Sequence, residues 1–75
     1  MEVYDVPDNL KISLAAARTN AGYTQKEVAE KLGVSNRTII AWEKGESDVP
    51  FSMAQNMCEL YGRPIASIIF GKNSH

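Results

Sequence analysis

The chain holds one cysteine, Cys58, and one histidine, His75, which is its last residue. A single cysteine cannot close an internal disulfide, and one cysteine with a terminal histidine falls short of any spaced zinc-ligand set. The same scarcity removes the base that activates a serine or cysteine nucleophile, and no glycine-rich phosphate loop is present. Paired acids such as Glu27 and Glu30 are better explained by helix capping and a solvated face. The expectation is a chain that is not an enzyme and carries no metal or cofactor. There is no run of eighteen apolar residues that could span a bilayer. The start, MEVYDVPDN, is acidic and lacks the apolar stretch of a signal peptide. A cytoplasmic location is therefore expected.

Positive charge is also scarce, for the formal net charge is −1. That balance argues mildly against a nucleic-acid partner, since such proteins are often basic. Its distribution softens the argument. Residues 9–45 carry six cations (Lys11, Arg18, Lys26, Lys31, Arg37, Lys44) against three carboxylates, a local +3, and the remainder carries −4. The total still implies weak non-specific attraction to phosphates.

What the chain does have is a dense set of helix start and stop signals in TQKEVAEKLGVSNRTIIAWEKG, residues 24–45. Thr24 with Glu27 makes a capping box. Val28, Ala29 and Leu32 follow at helical spacing as one apolar face. Gly33 suits the left-handed position that ends a helix, Val34 can anchor the turn, and Ser35 is a good N-cap for the next helix. On that helix Ile39 and Trp42 face inward, while Asn36, Arg37, Ala41 and Lys44 lie on other faces and Gly45 ends it. Two short helices joined by a tight turn, the second polar on its outer side, form the pattern of a helix-turn-helix.

At 75 residues, 44% of them hydrophobic, the chain has room for one domain with a small core. Residues 1–8 read as an arm, in which Val3, Tyr4 and Val6 could pack but Pro7 breaks regularity. Residues 9–70 form the domain and 71–75 a frayed tail. Asp8 or Asn9 can cap a first helix running to about Asn20, with Leu10, Leu14, Ala17 and Ala21 at helical spacing. Pro50 suits the start of a fourth helix carrying Met53, Met57, Leu60 and Tyr61, ended by Gly62. Pro64 opens a fifth short helix with Ile65, Ile68, Ile69 and Phe70. The fold expected is all-α, with five helices and the helix-turn-helix in the second and third. Trp42, Tyr61, Met53 and Met57 are expected in the core, and Cys58 as a buried, inert thiol.

The stretch TQKEVAEKLGVS…I..WEKG resembles the core motif of the lambda-repressor-like (Xre/Cro-type) helix-turn-helix family over about residues 9–70. The resemblance implies a compact five-helix DNA-binding domain. It also implies a regulator of transcription, most often a repressor. The small stand-alone size and the ending LYGRPIASIIFG resemble phage or mobile-element regulators. The N-terminal residues of a recognition helix reach base edges in the major groove. Asn36 suits adenine N6 and N7, and Arg37 suits guanine O6 and N7; by resemblance both contact bases. Thr38 is the next candidate, and Ala41, one turn beyond Arg37, can touch a thymine methyl or simply let the helix approach. Gln25 is the family's backbone-contacting glutamine, at a helix end that favours phosphate. Lys26 is a weaker phosphate candidate. Lys44 can meet a phosphate or complement its own helix dipole. Ile40 points towards solvent or the rim of the groove, where it could make an apolar base contact or touch a partner, partial burial being the commoner outcome. The resemblance further implies that Arg18 pairs with Glu43 and braces the reading helix, with Arg18 also able to face a phosphate.

The partner expected is a double-stranded DNA operator bound by a homodimer, because one helix-turn-helix reads only a few base pairs. The dimer surface is expected after the third helix and around the fourth and fifth, where Phe51, Ile65, Ile68 and Phe70 offer apolar area. No small-molecule effector is evident. The alternative is a protein-interaction module on the same fold, an antirepressor or antitoxin-like partner, which the acidic flanks favour slightly.

Overall fold

In a computed structural model of the chain, the structure describes Pro7 and residues 10–70. The element order is β1 (Ile12–Ser13), α1 (Leu14–Asn20), α2 (Gln25–Leu32), α3 (Asn36–Lys44), α4 (Phe51–Tyr61), a 3-10 turn (Ile65–Ser67) and β2 (Ile68–Ile69). The arm and tail expected at 1–8 and 71–75 lie outside the described residues, Pro7 excepted.

Two expectations are corrected. Among the described residues there are four α-helices and a two-stranded sheet, not five helices. After Pro64 the chain makes only one 3-10 turn. The Ser67 hydroxyl donates to the Pro64 carbonyl at 2.7 Å and accepts from Arg63 Nε at 3.2 Å. Such local side-chain bonds compete with a continuing helix. The β-branched pair Ile68–Ile69 then extends and pairs in parallel with β1, Ile12 opposite Ile68 and Ser13 opposite Ile69. The second correction is the start of α1. Ser13 caps it, its Oγ accepting from the Ala16 amide at 3.1 Å, so Ile12–Ser13 stay extended. Leu10 is 58% exposed rather than part of the core. The expected caps Asp8 and Asn9 lie outside the described residues.

The remaining boundaries follow from local chemistry. Thr24 Oγ1 accepts from the Glu27 amide at 3.1 Å, and Glu27 Oε1 accepts from the Thr24 amide at 2.8 Å. This closes the capping box at the start of α2. Gly33 ends the helix at φ 70°, a left-handed conformation in which a Cβ is costly. The chain then turns through half-buried Val34 into Ser35, whose Oγ accepts from the Thr38 amide at 3.1 Å. One left-handed residue and one N-cap thus set α3 directly after α2.

The core gathers Leu14 and Ala17 of α1, Val28 and Ala29 of α2, Ile39 and Trp42 of α3, Met57, Cys58 and Tyr61 of α4, and Ile68 of β2. Val28, Ile39 and Met57 are fully enclosed. Burying each such side chain stabilises by roughly 1.5–3 kcal/mol. Cys58 is buried, and desolvation pushes its thiol pKa up, which leaves it protonated and unreactive. Ile68, expected on a dimer surface, is a core residue on the strand that packs against α1.

Candidate nucleic-acid interface

Helix α3 divides cleanly into a held face and a free face. On the held face Ile39 and Trp42 are buried in the core. Between them and the solvent lies Glu43, whose side chain is only 5% exposed. A carboxylate there needs partners, and it has three bonds. Arg18 Nε donates to Oε2 at 2.7 Å, Arg18 Nη2 to Oε1 at 3.3 Å, and Gln25 Nε2 to Oε1 at 2.9 Å. Arg18 also donates through Nη1 to the Tyr23 carbonyl at 2.8 Å. One buried carboxylate therefore links α3 to α1 and to the first residue of α2.

The free face carries Asn36, Arg37 and Lys44, all exposed, with Ala41 and Ile40 partly buried. Arg37, Ala41 and Lys44 are spaced by four and three residues, which puts them on one side of the helix. Asn36 lies on the same outer flank at the helix start. The side chains of Asn36, Arg37 and Lys44 make no hydrogen bond or ion pair with any described residue. Thr38 lies off this row. It is partly buried, and its hydroxyl shares a 2.9 Å bond with Ser35 Oγ.

The start of α2 completes the surface. Because the capping box uses the Thr24 and Glu27 amides, those of Gln25 and Lys26 keep no acceptor among the described residues. Together with the helix dipole they suit an anion. Lys26 is exposed beside them, and Gln25 is half-buried because its amide is held by Glu43. Arg18 is only 16% exposed and points its fork inward.

Behind this surface Tyr61 lies in the core, as its place on α4 led one to expect. It is 7% exposed, and its hydroxyl is buried with no hydrogen-bond partner among the described residues. Burial raises its pKa to about 12, with the Glu43 charge adding to the rise and Arg18 partly offsetting it. Its ring lies 6.3 Å from that of Tyr23 at a 40° tilt, and Lys31 Nζ sits 5.7 Å from the other ring's centroid, that of Tyr23. Among the described residues no cluster of metal-ligating side chains occurs, and no helix is long and apolar enough to cross a membrane.

This arrangement of α2, a glycine turn and α3 matches the model of the helix-turn-helix family over residues 14–68. The chain belongs to that family, of the lambda-repressor-like (Xre/Cro) type. It is similar to an uncharacterised HTH-type transcriptional regulator of Methanocaldococcus jannaschii, 39% identical over 79% of this chain and 89% of the relative. It is also similar to candidate HTH-type transcriptional regulatory proteins of Saccharolobus islandicus and Saccharolobus solfataricus. With these it is 42% identical over 64% of its own length, which spans only 16% of theirs. No solved structure gives a significant match.

Proposed function

We propose that the chain is a sequence-specific double-stranded DNA-binding regulator of transcription, acting as a repressor, with α3 as the helix that enters the major groove. The observation that carries this is the division of α3. Its inner carboxylate is held by three hydrogen bonds, while the side chains of Asn36, Arg37 and Lys44 stand exposed without a partner among the described residues. A helix held rigidly from behind loses little freedom when its outer side chains meet base edges.

In this reading Arg37 takes guanine and Asn36 takes adenine, each good bidentate pair giving roughly 1–3 kcal/mol of discrimination. Ala41 admits the helix and meets a thymine methyl, and Thr38 contributes its methyl or its remaining hydrogen-bonding capacity. Gln25, Lys26 and Lys44 meet phosphates, which fix register without reading sequence. We assign Arg18 to the brace rather than to phosphate, because its fork is spent on Glu43 and the Tyr23 carbonyl. Two copies bind an inverted repeat, joined through Phe51 (68% exposed) and Ile65 (39% exposed) with partly buried Phe70 beside them.

The second reading, a protein-interaction module, is favoured by the net charge of −1 and the exposed Glu46 and Asp48. Arg37→Ala separates the two. Loss of binding to a selected duplex with unchanged melting temperature supports the regulator. Failure of the wild-type chain to hold any duplex, with a protein co-purifying in its place, supports the module.

A further inference from the structure

Ile40 is the one residue on the outer half of α3 with no part in the contacts proposed above. It is partly buried, yet unlike Leu32, Val34 and Val49, which are also partly buried, it does not pack against the core. Its place on the helix accounts for this. At 3.6 residues per turn, Ile40 lies about 100° round the axis from Ile39 and about 160° from Trp42, the two residues that face the core. It lies only about 40° from Asn36 and Lys44 and about 60° from Arg37. Residues three and four apart are neighbours on a helix surface. Ile40 is therefore ringed by the exposed polar side chains of α3, with Asn36 and Arg37 one turn before it and Lys44 one turn after. Helical side chains lean toward the N-terminus, so Ile40 extends over the turn that carries Asn36 and Arg37. On its other flank is Glu43, which is bonded to Gln25 at the start of α2. Ile40 thus stands between the row of Arg37, Ala41 and Lys44 and the end of α2 that suits an anion.

A branched aliphatic side chain has no donor or acceptor for a phosphate or a base heteroatom. What it can gain from a partner is burial of apolar area. The floor of the major groove offers one apolar group, the 5-methyl of thymine, among donors and acceptors. We propose that Ile40 reads thymine, packing on the 5-methyl group of a thymine at or next to the base pair that Asn36 or Arg37 reads. This rests on the DNA-binding reading above. Ile40 becomes a specificity residue of α3, and the helix reads with an apolar contact between its polar ones. Ala41 lies about 100° further round the axis, so the methyl it meets belongs to a different thymine.

The test uses the full chain and a duplex enriched by selection. Each thymine is replaced in turn by uracil, which lacks only the methyl group. For the wild type, uracil at one thymine per half-site, at or beside a position that Asn36→Ala or Arg37→Ala relaxes, weakens binding about 3–5-fold, the scale of one buried methyl. In Ile40→Ala the same replacement changes nothing, while uracil at the thymine met by Ala41 costs as much as in the wild type. Ile40→Val, which keeps the branch, retains the discrimination. Because Ile40 does not pack on the core, Ile40→Ala lowers the melting temperature by no more than about 4 °C; a larger fall would place Ile40 in the packing of the domain and overturn the proposal. A duplex that is bound, and released by Arg37→Ala, but gives the same uracil scan with wild type and Ile40→Ala overturns the thymine contact alone. A wild type that holds no duplex overturns the regulator reading and the contact with it.

Discussion

Replacing Arg18 by alanine removes two of the three hydrogen bonds to a carboxylate that is 5% exposed, and the only positive charge paired with it among the described residues. Breaking a buried pair from one side costs about 3–5 kcal/mol, because the remaining charge stays buried. Arg18 itself is 16% exposed, so water can follow the truncation inward, which favours the lower end, about 3 kcal/mol. At about 0.05–0.15 kcal/mol per residue, a domain of this length has roughly 4–11 kcal/mol in all. The variant thus loses much of its margin, and its melting temperature falls by about 12–24 °C at roughly 4–8 °C per kcal/mol. Trp42, the single tryptophan and 6% exposed, reports unfolding by fluorescence in a urea titration. The double variant Arg18→Met/Glu43→Leu separates charge from packing. Removing both charges recovers most of the loss, since apolar isosteres of a buried pair are often neutral or better. A loss below about 1 kcal/mol for Arg18→Ala, or a double variant as unstable as the single, refutes the reasoning.

Ile39→Ala, at a site with no exposure, destabilises by about 2–5 kcal/mol in the same titration; a smaller effect means the core beneath α3 relaxes freely. The Glu27 pKa is lowered below the ordinary 4.5, chiefly by hydrogen bonds from the Thr24 backbone and side chain. Its contribution is therefore complete above that ordinary value and lost as pH falls through the lowered one. Glu27→Gln flattens this acid limb of stability against pH, and identical limbs in both proteins would count against a charged capping box. Lys44→Ala weakens duplex binding evenly across sequences and reduces the salt slope by about one; a changed base preference instead would move Lys44 from phosphate to base contact.

The helix-turn-helix was legible because every one of its boundaries is local. Thr24 with Glu27, then Gly33, Ser35 and Gly45, each act within a turn of their own position. The C-terminal segment was not, because Ile65, Ile68, Ile69 and Phe70 fit a short helix and a short strand equally well. What decides is pairing with Ile12–Ser13 at the other end of the domain, and Ile68 entered the core as a result. The start of α1 was misplaced for a related reason, since Asp8, Asn9 and Ser13 are all competent caps and only the extended β1 selects Ser13. At the site, the expectation that Arg18 pairs with Glu43 came from family resemblance, not from spacing. The pair spans 25 residues. The further bond from Gln25 to Glu43 and the unpaired Tyr61 hydroxyl carry no local signal, because each depends on how α1, α2 and α4 meet behind α3.

The most direct test of the account is selection of bound duplexes from a random pool by the purified chain, at low and at moderate salt. The account predicts enrichment of an inverted repeat whose half-sites lie about one helical turn apart, with guanine and adenine at positions that Arg37→Ala and Asn36→Ala relax one by one. Binding without enrichment, lost steeply with salt, would reduce the contact to phosphates alone. No retained duplex at either salt would contradict the assignment of α3 as a reading helix.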